Sequence, residues 1–218
     1  MECRYSRLKM KNKRYSLSFT TGTLFHRESV KLAVLYFELH DWNAIRKKII
    51  SENLLQARTI NSSKRIFQEV CSRLKTLDKN ELELFVHGTT REQDYILWLS
   101  VCRRYKFIAD FAVEVVRERY IGLKSYLCYE DFDSFLNIKS ELHPEIDTIK
   151  LATRKKLRQV LFKMLREAEL LTADNHINPV ILSPRLLHAI PRERRSDILV
   201  FPVLESDIMG RHHDSWNG

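Results

Sequence analysis

Leu157, Val160, Leu161, Met164, Leu165 and Ala168 recur at intervals of three and four residues without interruption. An apolar stripe of that period is buried by laying a helix on a core. The same spacing returns along the chain, at Val30, Ala33, Val34 and Phe37, at Trp42, Ile45, Ile49 and Ile50, and at Ile66, Phe67, Val70, Cys71 and Leu74. From Arg91 to about Tyr120, apolar residues occupy several sides (Tyr95, Trp98, Leu99, Cys102, Phe107, Phe111, Val115), which predicts a buried and bent central helix. Breakers are few: 218 residues hold five Gly and five Pro, where an average chain would hold roughly fifteen and eleven. The reading is an all-α fold. A 44% hydrophobic content supplies its core and excludes a disordered tail.

Local signals divide the chain. Asp41 can cap the second helix, "ENLLQARTINSS" breaks the pattern, and Asn61 or Ser62 can cap the third. Helix, short break and capped helix outline a helix-turn-helix. Asp78 or Asn80 starts a short helix that stops at Gly88, a plausible left-handed stop. Another helix spans about Asp131–Leu142, and Pro144 opens the next. "LLTADNHINPVILSP" reads as two short strands around a turn at Asp174-Asn175, with Pro179 keeping the second at an edge. Ser183-Pro184 opens a last helix, closed by Pro191. Helix, basic helix and hairpin follow the order of a winged helix. The expected division is a basic flexible arm (1–14), a helix-turn-helix-like unit (15–90), a central helical core (91–142), a winged-helix-like unit with a small β-wing (143–204) and a disordered tail (205–218).

Charge points to the partner. The net charge is +9, a surplus that suits nucleic acid or an anionic membrane surface. It is segregated: residues 1–40, 41–79 and 148–169 each carry net +5, whereas residues 80–147 carry −5. Within the third basic segment the order is unusual. With Thr153 taken as the cap, Arg154, Lys155 and Lys156 fill a first turn, and Glu167 and Glu169 close the helix. Peptide dipoles favour the reverse, each misplaced exposed charge costing up to about 1 kcal/mol. Ser62 and Ser63 are likewise followed at once by Lys64 and Arg65, with no acid before Glu69. A bound polyanion would reverse the sign of these costs. The expected contacts are phosphates at Ser62, Ser63 and Thr153, charge from Lys64, Arg65, Arg154, Lys155, Lys156 and Arg158, and base edges within reach of Arg158 and Gln159. About six neutralised phosphates would give a log–log salt slope near −5.

Catalytic readings find little. The phosphate-loop, dinucleotide, nucleophile-elbow and H-E-x-x-H patterns do not occur, and neither a cofactor nor a metal is expected. Glu130, Asp131 and Asp133 lack calcium-loop spacing and read as an acidic helix start. His212-His213 falls in the tail. Cys3, Cys71, Cys102 and Cys128 are scattered and read as reduced thiols of a cytoplasmic protein, Cys71 and Cys102 in helix cores. The longest apolar run, near "YILWLSVC", falls short of a membrane span.

"YSLSFTTGTLFHRESVKLA", Trp42, "ENLLQARTINSSKRIFQEVCSRL", "ILWLSVCRRYKFIADFAVEVVRE" and "TRKKLRQVLFKMLREAELL…ILSPRLL" together resemble the BrxA family of bacterial BREX phage-defence systems, over residues 15 to about 203. The resemblance implies a cytosolic, mostly helical, non-enzymatic protein that binds DNA. It would act beside a methyltransferase, a phosphatase-like protein, an ATPase and other BREX components. The family has also been likened to the RNA-binding protein NusB and labelled an inner-membrane protein; the sequence gives the membrane label no support. The expectation is a non-catalytic binder of duplex DNA with weak sequence preference. A protein-interaction adaptor and a NusB-like RNA binder stand as alternatives.

Overall fold

The computed structural model describes residues 14–20 and 22–204. The arm before Arg14 and the tail with His212-His213 lie outside the described residues. The described chain is mostly helical, as the periodicity predicts.

Helix α1 (His26–Leu39) buries Ser29, Leu32, Ala33 and Leu35. This corrects the expected face, since Val34 is 38% exposed and Val30 and Phe37 are only partly covered. The stretch is apolar around most of its circumference, so periodicity alone does not choose a side. Helix α2 (Trp42–Ser51) starts where Asp41 accepts the Asn43 amide N–H, and it buries Ile45 and Ile49. Helix α3 (Ile60–Leu74) buries Phe67, Val70, Cys71 and Leu74 as expected. Helix α4 (Lys79–His87) has a reciprocal cap between Asp78 and Glu81. Gly88 ends it in an extended conformation rather than a left-handed one. The need there is room: a Cβ would lie 2.5 Å from the Leu84 carbonyl oxygen.

Helix α5 (Thr90–Arg104) is the axis of the core, with every residue from Asp94 to Cys102 buried. The expected bend falls at Tyr105, whose extended backbone separates α5 from α6 (Lys106–Phe111). A π-helical turn (Ala112–Arg117) then leads into α7 (Glu118–Ile121). Trp98 is core, its indole N–H donating to the Val200 carbonyl at 3.0 Å. That bond seats a 3₁₀ helix (Arg192–Val200) that periodicity does not reveal.

Helices α8 (Tyr129–Ser140), α9 (Pro144–Asp147) and α10 (Leu151–Glu167) complete the second half. In α11 (Pro184–Ala189), Ser183 caps and Pro184 leads, as expected. The two expected strands shrink to isolated bridges, Leu171 with Ile177 and Tyr126 with His176. The turn at Asp174-Asn175 is there, with Asn175 at φ 68. Beyond Ile177 the Pro179 segment forms no further bridge, since proline has no N–H to offer a ladder. The hairpin itself keeps two backbone bonds, Thr172 N–H to His176 O and Asn178 N–H to Leu170 O, and the loop before α8 adds Leu127 N–H to Asn175 O and Ile177 N–H to Ser125 O.

One extended segment joins the halves. Phe19 packs on the rings of Tyr105 and Phe107. Gly22 lies so close to α10 that a Cβ would meet Met164 at 2.6 Å and Val160 at 2.7 Å. Thr23 and Leu24 are held from opposite sides: Arg73 of α3 donates to the Thr23 carbonyl, and Glu167 of α10 accepts the Leu24 N–H.

Candidate nucleic-acid interface

Helix α3 begins two or three residues before the sequence suggests. Its cap is Thr59, which accepts the Ser62 N–H at 3.1 Å, and not Asn61 or Ser62. All of Thr59, Asn61, Ser62 and Ser63 can cap, and packing selects the first. The Ser62 hydroxyl is engaged with Thr59 Oγ1 at 2.9 Å. Ser63 faces the core at 2% exposure, its Oγ without a hydrogen-bond partner among the described residues. It is therefore turned away from any phosphate. Lys64 and Arg65 are exposed, and so are Asn61 and Gln68 on the same helical stripe. The one acid of α3, Glu69, is turned inward, accepting from Arg73 Nε at 2.8 Å and from the Tyr105 hydroxyl at 2.7 Å. Burial, and then Glu69 beside it, pushes the Tyr105 hydroxyl up to about 12.

Helix α10 also starts early. Lys150 is its cap position, with no side-chain cap, and Thr153 lies inside the first turn, half-buried. A free N–H set at 151–152 thus opens next to cations, but not behind a threonine cap. Two expected contacts are already committed within the protein. The Arg154 guanidinium turns back to the Ile146 and Ile149 carbonyls, both at 3.4 Å, and to Asn137 Oδ1 at 3.5 Å. Arg158 pairs with Asp133 of α8 and lies 4.8 Å from the Tyr129 ring centroid. Lys155, Lys156 and Gln159 are exposed and make no hydrogen bond or ion pair with described residues.

The acids that end α10 have structural work. Glu167 holds the Leu24 N–H at 2.6 Å, and Glu169, beyond the helix, pairs with Arg91. Half of the reversed charge order is therefore settled internally, leaving Lys155 and Lys156. Glu130 and Asp131 do start α8, where Asp131 accepts the Cys128 N–H and pairs with Arg119. A cleft of about 230 Å³ separates α8 from α10, lined by Asp133, Asn137, Leu151, Arg154, Lys155 and Arg158. Cys71 and Cys102 are buried and their thiols are raised, chiefly by burial.

The BrxA family profile matches residues 13–194, most of the chain. The chain belongs to the BrxA family. Similar to it are the BREX protein BrxA of Escherichia coli O9:H4 (strain HS), 28% identical over 180 residues that cover 82% of this chain and 84% of that protein, and the BREX protein BrxA of Bacillus cereus (strain H3081.97), 26% identical over 159 residues, 73% of this chain and 80% of that one. A crystal structure of an uncharacterized protein from Magnetospirillum magneticum shares the fold, with a TM-score of 0.75 at 21% identity, over 87% of this chain and 98% of that one. Among the described residues of this BrxA-family chain, no helix is long and apolar enough to cross a membrane.

The sequence signal for Asn61 and Gln68 was present, as polar residues at i and i+7 flanking Lys64 and Arg65 on α3. The partners Asp133 and Tyr129 of Arg158 lie 25 and 29 positions away and carry no local sign.

Proposed function

We propose that this BrxA-family protein is a non-catalytic, cytoplasmic component of a BREX phage-defence system that binds double-stranded DNA through α3 and α10, in helix-turn-helix-like and winged-helix-like settings, with weak sequence preference. One observation carries the reading. The outward faces of α3 and of the start of α10 are cationic (Lys64 and Arg65; Lys155 and Lys156), while Glu69 of α3 is turned inward and Glu167, at the far end of α10, holds the Leu24 N–H. Phosphates supply the missing counter-charge of Lys64, Lys155 and Lys156 and meet the start of α10, which has no side-chain cap. With Arg154 and Arg158 committed internally, Lys64, Lys155 and Lys156 leave about three phosphates to be neutralised, and the salt slope moves to roughly −2.7.

The test is a salt-titrated binding assay on duplex DNA, duplex RNA and single strands. Duplex DNA should bind best, with that slope. Binding indifferent to salt, or tighter to duplex RNA, rejects the reading, the latter in favour of a NusB-like function. An adaptor role is favoured by one feature, the solvent-facing apolar side chains of Leu151 and Ile138, 68% and 61% exposed. Charge reversal at Lys155 and Lys156 separates the two: defence retained after DNA binding is lost supports the adaptor.

A further inference from the structure

We propose that the outward face of α3 reads base edges in the major groove, with Asn61 and Gln68 as the specificity-determining side chains and Lys64 as a phosphate contact beside them. The proposal rests on the duplex-DNA reading above and assigns α3 and α10 different tasks. Asn61, Lys64, Arg65 and Gln68 occupy i, i+3, i+4 and i+7, and all four are exposed. Asn and Gln are the side chains that pair in bidentate fashion with adenine N6 and N7.

Ordinary solvated helix faces mix signs. In this molecule α4 pairs Lys79 with Glu83, and α10 pairs Lys163 with Glu167, each at 3.7 Å. Lys64 on the exposed stripe of α3 has no such carboxylate among the described residues, and Glu69, the one acid of the helix, points toward Arg73 and Tyr105. The opposite face fixes the helix: Phe67, Val70 and Leu74 are buried, and Arg73, 1% exposed, ties it to the Thr23 carbonyl. A rigid element with free amide tips is what base readout requires. Helix α10 lacks that combination, since Arg158 is paired with Asp133 and Gln159 stands without a second amide reader on its stripe.

The reach of the stripe sets the size of the site. Seven residues at 1.5 Å each span about 10 Å, which is about three base pairs at 3.4 Å. A short site read by two side chains gives a modest preference, consistent with binding dominated by phosphates.

Binding-site selection from a randomised duplex library tests this with the full chain. The wild type should enrich a motif of about three base pairs, its best sequence bound at least about thirtyfold tighter than a scrambled one when both amides pair, and about fivefold or more when one does. Asn61→Ala combined with Gln68→Ala should flatten the motif and leave the salt slope unchanged. Lys64→Ala should keep the motif and reduce the slope by about one. Both amides are exposed, so the double variant should melt with the wild type. A motif that survives the double substitution, or salt-dependent binding with no motif at all, overturns the assignment to α3 and leaves the DNA reading standing. Failure of the wild type to bind duplex at any salt overturns both.

Discussion

Arg158 of α10 is held by Asp133 of α8, with its guanidinium over the Tyr129 ring at 4.8 Å from the centroid. A cation already neutralised gives little to a phosphate. Asp133→Asn should release it, tightening duplex binding at low salt several-fold and steepening the log–log slope by about 0.9. Arg158→Ala should weaken binding less than Lys155→Ala. Fluorescence anisotropy at three salt concentrations reads both comparisons, and equal losses for the two alanine variants would contradict the pairing.

Asp94 predicts the pH response. It is 8% exposed, and burial first, then Glu169 and Glu167, raises its carboxyl to about 6, against the opposing pull of His26 at 3.7 Å. A carboxyl with a raised folded value binds its proton more tightly in the native state. Stability is therefore highest below about pH 4 as far as this group is concerned, and falls as pH rises towards and through 6, by at most about 3 kcal/mol. Asp94→Asn should remove that part of the fall. Urea denaturation of both proteins at pH 4.5 and 7.5 gives the difference, and parallel curves would reject it.

Leu123 closes α7 with φ 55 and 92% of its surface exposed, while Lys124 N–H donates to Arg119 O at 2.8 Å. Phe25, also apolar and left-handed, has Arg73 over its ring; Leu123 gains nothing comparable. Leu123→Gly trades about 1–2 kcal/mol of left-handed strain for about 0.5–1 kcal/mol of chain entropy. Thermal melting should show a neutral to slightly stabilised protein, by up to about 1 kcal/mol.

Ser63→Ala should leave DNA affinity unchanged and raise stability by up to about 1 kcal/mol. The substitution removes a buried hydroxyl with no partner among the described residues and improves helix propensity. A loss of DNA affinity would restore Ser63 as a phosphate contact.

Much of the fold was legible where one face was clearly apolar. Phe67, Val70, Cys71 and Leu74 in α3, and Leu157, Val160, Leu161, Met164 and Leu165 in α10, are buried as their spacing predicts. Where a segment is apolar nearly all round, as in α1, only packing chooses between Leu32 and Val34. Helix starts were misplaced for a related reason, since several residues in "RTINSS" could cap and the short turn of α9 moves the start of α10 ahead of Thr153. The site was half legible. Local sequence gave the cations, but not the contacts that withdraw Arg154 and Arg158, because Asn137, Ile146 and Asp133 belong to other helices.

The segment pinned at Thr23 by Arg73 and at Leu24 by Glu167 fastens α3 and α10 to the two sides of a single peptide unit. The two helices are thus tied to each other through one planar group, so in the duplex reading proposed above a partner that spans both would meet a spacing set by the fold.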